Sequence, residues 1–159
     1  MNPCPCGYYN HPARECVCSP GSVHRYMSRI SGPLMDRIDM HVEVTPVSAA
    51  ELSAAAPGES SAAIRARVVR AREVQAARFR CAQGVHTNAM MNAAMLREYC
   101  RPDAASAALL ERAMERLNLS ARAYDRILKV ARTIADLAGR DTVAAADVAE
   151  AINYLSLIH

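Results

Sequence analysis

The chain has 159 residues, 52% of them apolar, with one phenylalanine, no tryptophan, a formal charge of +3 and an isoelectric point near 8.6. About one domain's worth of chain, built so heavily on alanine, favours close-packed helices over a thick sheet core. It carries neither an apolar run of about 18 residues nor a signal-peptide h-region, so a membrane-bound or exported class is set aside, a cytoplasmic protein is the expectation, and the mild basic excess does not by itself require nucleic acid.

In chain order, Asn2 precedes a proline, where an asparagine ordinarily marks a turn, although its amide can both donate and accept. Cys4-Pro-Cys6 and Cys16-Val-Cys18 place four thiols within fifteen residues. In a reducing compartment thiolate ligation of a structural Zn²⁺ is favoured over disulfides. Pairs of C-x-C type are less standard than C-x-x-C, and Pro5 restricts how both thiols turn inward, so zinc, free thiols and a disulfide stay open. His11 and His24 are spare nitrogen donors, and Cys81 and Cys100 are expected to pack between helices.

Ser19 as N-cap and Pro20 at the first helical position predict a helix over 20–30, with Val23, Tyr26, Met27 and Ile30 on its buried stripe. Gly32-Pro33 then turns the chain, and 37–44 alternates charged with apolar residues, predicting a strand that buries Ile38, Met40, Val42 and Val44 on one face. Arg37 falls at the edge of that strand, either paired with Asp36 or Asp39 or presented across a subunit boundary to a phosphate.

The alanine-rich stretch up to Pro57-Gly58 reads as a linker. A long helix from about Ser60 to Cys81 follows, with Arg65, Arg67, Arg70, Arg72, Arg78 and Arg80 on a solvated face and Ile64, Val68, Ala71 and Phe79 on the apolar one. Asn88 or Asn92 can cap a short helix through Leu96 that stops at Arg101-Pro102. Pro102 opens another helix, ended by Asn118. The best amphipathic helix starts at Leu119-Ser120, faces Tyr124, Ile127, Leu128, Ala131, Ile134 and Ala135 inward, and closes at Gly139. Arg122 sits in its first turn, where a cation is mildly unfavourable. A last helix, capped by Asp141 or Thr142, buries Val143, Val148, Ile152 and Leu155.

Three separated stretches, Met1-Asn-Pro-Cys-Pro-Cys-Gly7, Arg25 through Asp39, and Leu119-Ser-Ala-Arg-Ala-Tyr-Asp-Arg through Leu137, occur in the order found in the magnesium-chelatase-like AAA+ ATPases and resemble most the ComM/YifB branch. The resemblance implies a mainly α chain: residues 1–45 a C-terminal remnant of an AAA+ α/β core with one or two strands, 46–58 a linker, and 59–159 a helical lid. It implies that Asn2 is sensor 1, Arg37 an arginine finger acting on a neighbour's ATP/Mg²⁺ site, and Arg122 sensor 2. It also implies a self-assembled homo-hexameric ring in the complete protein, acting on single-stranded or branched DNA.

No G-x-x-x-x-G-K-[ST] loop and no apolar run ending in Asp-Glu occur in the chain. The expectation is therefore a fragment, starting at an internal methionine, that does not hydrolyse ATP alone. Two other readings stay beside this one: the ATPase subunit of magnesium chelatase, inserting metal into a porphyrin, and a zinc-dependent nucleic-acid-binding module with no ATPase role.

Overall fold

Ser19 opens helix α1 (Pro20–Met27) as the sequence predicts: its hydroxyl accepts from the Ser22 N–H at 3.3 Å, with Pro20 at the first helical position. The computed structural model describes residues 2–35, 37–42, 44, 46–54 and 58–156, and divides into two units, residues 1–38 with 44–52 and residues 39–43 with 53–159. In the first unit Val23 is buried, but Met27 is half exposed and α1 ends there, short of Ile30. A four-residue turn of helix, α2 (Gly32–Met35), follows. A short helix, α3 (Ala49–Ala54), forms within the stretch expected as a linker.

The strand expected over 37–44 is not formed, and no strand occurs among the described residues. Ile38 and Met40 are 37% and 45% exposed, Val42 and Val44 67% and 87%, so the alternation does not bury a face. A strand is held by its hydrogen-bonded ladder, and no second strand is present among the described residues to supply one. Instead the His41 N–H donates to the Tyr154 carbonyl at 2.8 Å, within the second unit. Asp36, Glu43 and Pro57, which entered the sequence reading, lie outside the described residues.

The second unit is all helix among the described residues: α4 (Ser61–Arg78), a 3₁₀ turn (Asn88–Met90), α5 (Ala93–Tyr99), α6 (Ala104–Arg116), α7 (Ala121–Leu137) and α8 (Ala145–Ser156). Helix α7 is the axis, packed against α4, α5, α8 and the 3₁₀ turn. Ala123, Ile127, Leu128, Ala131 and Ala135, repeating at three- and four-residue steps, are all buried along its inner face. Tyr124, expected inward, is 37% exposed.

The helix ends obey local chemistry. Asn92 caps α5 by accepting from the Met95 N–H at 3.0 Å, and α6 opens at Ala104 rather than at Pro102, capped by Asp103, which accepts from the Ser106 N–H at 2.7 Å. Neither Asp141 nor Thr142 caps α8. Asp147, in its first turn, reaches back to the Ala144 N–H at 2.9 Å, the acidic half of a capping box.

Candidate metal centre and phosphate-contact residues

A tight turn holds the first pair of thiols. Cys4-Pro5-Cys6-Gly7 closes through a Gly7 N–H bond to the Cys4 carbonyl at 3.1 Å, with proline second and glycine fourth, the positions each favours in a β-turn. Gly7, at φ +81°, reverses the chain in a region that a side chain would strain. Pro5 therefore shapes the C-x-C hairpin instead of obstructing it.

The Cys4 Sγ lies 3.4 Å from Cys6 Sγ and 3.8 Å from Cys16 Sγ, with Cys6 and Cys16 3.6 Å apart. With Cys18, all four sulfurs fall within 4.8 Å of one another. A tetrahedron of sulfurs about 2.3 Å from a zinc ion has edges of about 3.8 Å, whereas a disulfide would bring two sulfurs to about 2.05 Å. All four cysteines are free thiols, Cys4 fully buried and the others half-buried. The donor set fits a tetrahedral thiophilic ion.

Backbone amides point at these sulfurs. A hydrogen bond from the Tyr8 backbone is the largest influence on Cys6 and, with help from the other thiols, takes it down to about 6 against the cost of desolvation. At Cys16 the Cys18 backbone bond pulls the same way, but desolvation and the neighbouring Cys6 and Cys4 sulfurs outweigh it and push the thiol up to about 12. Cys18 is likewise raised: the Cys6 backbone bond lowers it, and its contacts with Cys6 and Cys4 together with desolvation prevail. Four thiols crowded together cannot all ionise without a cation among them.

The three polar residues named for a phosphate role are all exposed. Asn2 is exposed, its side chain beside Gly7, and no strand precedes or follows it among the described residues. Arg37 is exposed just after α2; its guanidinium donates to the Pro33 carbonyl at 3.2 Å. Asp39, one of the acids considered as its partner, lies 4.0 Å from Arg126 instead. In the second unit Arg122 is exposed on the first turn of α7, directly before buried Ala123, with no side-chain partner among the described residues. Ser120 caps that turn, accepting from the Ala123 N–H at 3.3 Å.

One cluster escaped the sequence reading. Asp136, 3% exposed, accepts from Arg78 at 2.6 and 2.8 Å, from Asn88 at 2.8 Å and from Arg132 at 3.1 Å. Arg132, 1% exposed, also donates to the Arg140 and Asp141 carbonyls beyond α7. Arg78, expected on a solvated face, is instead the clasp between α4 and α7. The four-residue spacing of Arg132 and Asp136 was legible, but Asp136 meets Arg78 across 58 residues of chain.

Comparison with known families decides the assignment. A family model described as "Magnesium chelatase, subunit ChlI C-terminal" matches residues 58–155, and one described as "Magnesium chelatase, subunit ChlI" matches residues 1–52. The chain belongs to the magnesium chelatase ChlI family. Within that family it is 38% identical to the competence protein ComM of Haemophilus influenzae over 99% of its own length, and 38% identical to YifB of Escherichia coli over 99%. It is also 41% identical over 96% of its length to an uncharacterised protein of Mycobacterium tuberculosis. It spans 30% of the length of each of these relatives. The first ChlI model covers the cysteine centre and Arg37, and the C-terminal one covers Arg122 and the helical unit.

Proposed function

We propose that the complete protein is a cytoplasmic AAA+ ATPase of the ComM type, working as a homo-hexameric ring that remodels DNA, as in branch migration during recombination or transformation. The observation that carries this reading is the 38% identity to the competence protein ComM across 99% of the chain. In it, Arg37 acts as the arginine finger. Its guanidinium is held to the backbone by a single hydrogen bond and offers its remaining donors to the charge developing on a neighbour's transferring γ-phosphoryl group.

Arg122 acts as sensor 2. A cation in the first turn of a helix opposes the dipole, so an unpaired one there is satisfied best by an anion brought from outside, here the γ-phosphate of bound ATP. Asn2 acts as sensor 1, with an amide able to accept from the attacking water and donate to phosphate. ATP and Mg²⁺ would be cradled by chain outside these 159 residues, and the fragment alone is expected to show no turnover.

Measuring ATP hydrolysis by the full-length protein tests the assignment. Arg37→Ala should lower turnover about a thousandfold or more while leaving nucleotide affinity nearly intact. An unchanged rate removes the finger role.

Cys4, Cys6, Cys16 and Cys18 would hold a structural Zn²⁺, whose charge offsets the thiolates and ties residues 4–18 into one piece. Protein purified without chelator should contain about one zinc per chain by atomic spectroscopy; a stoichiometry near zero rejects the site. The same centre favours the ComM-type reading over that of a chelatase proper, in which the resemblance implies no such segment. It is also the one feature favouring a zinc-dependent nucleic-acid module without ATPase activity, a reading that full-length turnover dependent on Arg37 would exclude.

A further inference from the structure

Between Cys6 and Cys16 the chain runs out into a loop whose tip gathers aromatic rings around an arginine. The Tyr8–His11 turn closes through a His11 N–H bond to the Tyr8 carbonyl at 3.1 Å, with Asn10 in the left-handed region at φ 58°. The His11 Nδ1 then accepts from the Ala13 N–H at 3.1 Å. Arg14 folds back over the Tyr8 ring, 5.2 Å from its centroid, and donates to the Tyr8 hydroxyl at 2.7 Å. The His11 ring meets Tyr8 edge-on, with centroids 5.5 Å apart. Next to this stack Tyr9 is 41% exposed.

From this arrangement we infer that the loop tip, residues 8–14, is a contact surface for single-stranded nucleic acid, Tyr9 stacking on an unpaired base and Arg14 meeting the adjoining base or phosphate. Flat π-faces interleaved with a guanidinium are what unstacked bases bind, because every base has a face to offer and Arg presents both a plane and charged donors. Packing Arg14 against Tyr8 orders it before any ligand arrives, so less conformational freedom is lost on binding. The same unit repeats the motif at Arg29, 5.3 Å from the centroid of the Tyr26 ring.

A duplex fits less well. Its bases are already stacked, and the tip carries no helix to enter a groove. Charge alone would not draw an acidic protein either, since Arg14 is followed by Glu15.

The inference rests on nucleic acid being what the proposed motor acts on, and it is read without ATP. Fluorescence anisotropy of a labelled short oligothymidylate, titrated with the chain at low and at moderate salt, should show binding. Tyr9→Ala should weaken it about tenfold, and Tyr9→Phe, which keeps the ring face, should restore it. Arg14→Ala should weaken it and flatten the logarithmic salt dependence by about 0.7, and a duplex of the same length should bind less tightly. Absence of binding by the unaltered chain, equal affinity of Tyr9→Ala, failure of Tyr9→Phe to restore, or preference for the duplex would each overturn the proposal. Because no nucleotide is present, any of these leaves the ATPase role of Arg37 standing, and an unchanged ATPase rate in Arg37→Ala leaves the loop result standing.

Discussion

Asp136 sits where two positive charges converge. Desolvation raises its carboxyl, but hydrogen bonds from Arg78 and Asn88 and the nearby Arg132 charge outweigh that and hold it below the usual carboxylate range. Because the folded-state pKa is depressed, the stability that it adds is fully present above the unfolded value, about pH 4, and is lost as pH falls through the folded one. Replacing Asp136 by Asn leaves the Arg78 and Arg132 charges short of their anion and should cost about 3–5 kcal/mol at neutral pH. Urea melts of the two proteins should differ by that amount at pH 7 and converge as the pH is lowered below about 4. A gap that stays constant into acid would mean the cost is one of shape. At this scale Arg37, Arg122 and the four cysteines could be named from residue type and motif, whereas the Arg78 clasp could not, since nothing local tells an arginine on a helix which way the core lies.

At the scale of elements, helix ends were more legible than expected strands. Asn118, at φ 47°, and Gly139, at φ 70°, each end a helix in the left-handed region. In both cases the amide three residues past the last helical residue returns to a carbonyl five residues back, Leu119 to Met114 and Arg140 to Ala135, at 3.0 and 2.9 Å. Nothing lies within 4 Å of where a Gly139 Cβ would stand, so the cost of Gly139→Ala is backbone strain alone. Chemical denaturation should show a loss of about 1–2 kcal/mol. A neutral result would mean that the α7–α8 connection relaxes out of its left-handed turn.

The stretch from Arg37 to Val44 shows the opposite case. Its alternation is a sound strand signature, yet alternation describes a face and not a partner, and without a ladder Ile38, Met40, Val42 and Val44 remain exposed.

Across the whole molecule the two units are stabilised by different means. The second buries Phe79, Leu96, Leu110, Ile127, Val148 and Leu155 in one helical core organised on α7. The first buries only Cys4 and Val23 among its described apolar side chains, so little surface is removed from water there, and a metal held at the proposed thiol centre would supply what a core supplies elsewhere. From the sequence alone came the mainly helical character, the inner face of α7, the caps at Ser19, Ser120 and Gly139, and the motifs of the ChlI family, because each depends on residues within about one helical turn of one another or on a recurrent motif. Tertiary structure decided that Pro5 closes the thiol cluster, that Arg78 leaves the solvated face to meet Asp136, that 37–44 forms no strand, and that Arg14 lies on Tyr8. Each of these depends on which groups the folded chain brings within a few ångströms, and spacing along the chain does not determine that.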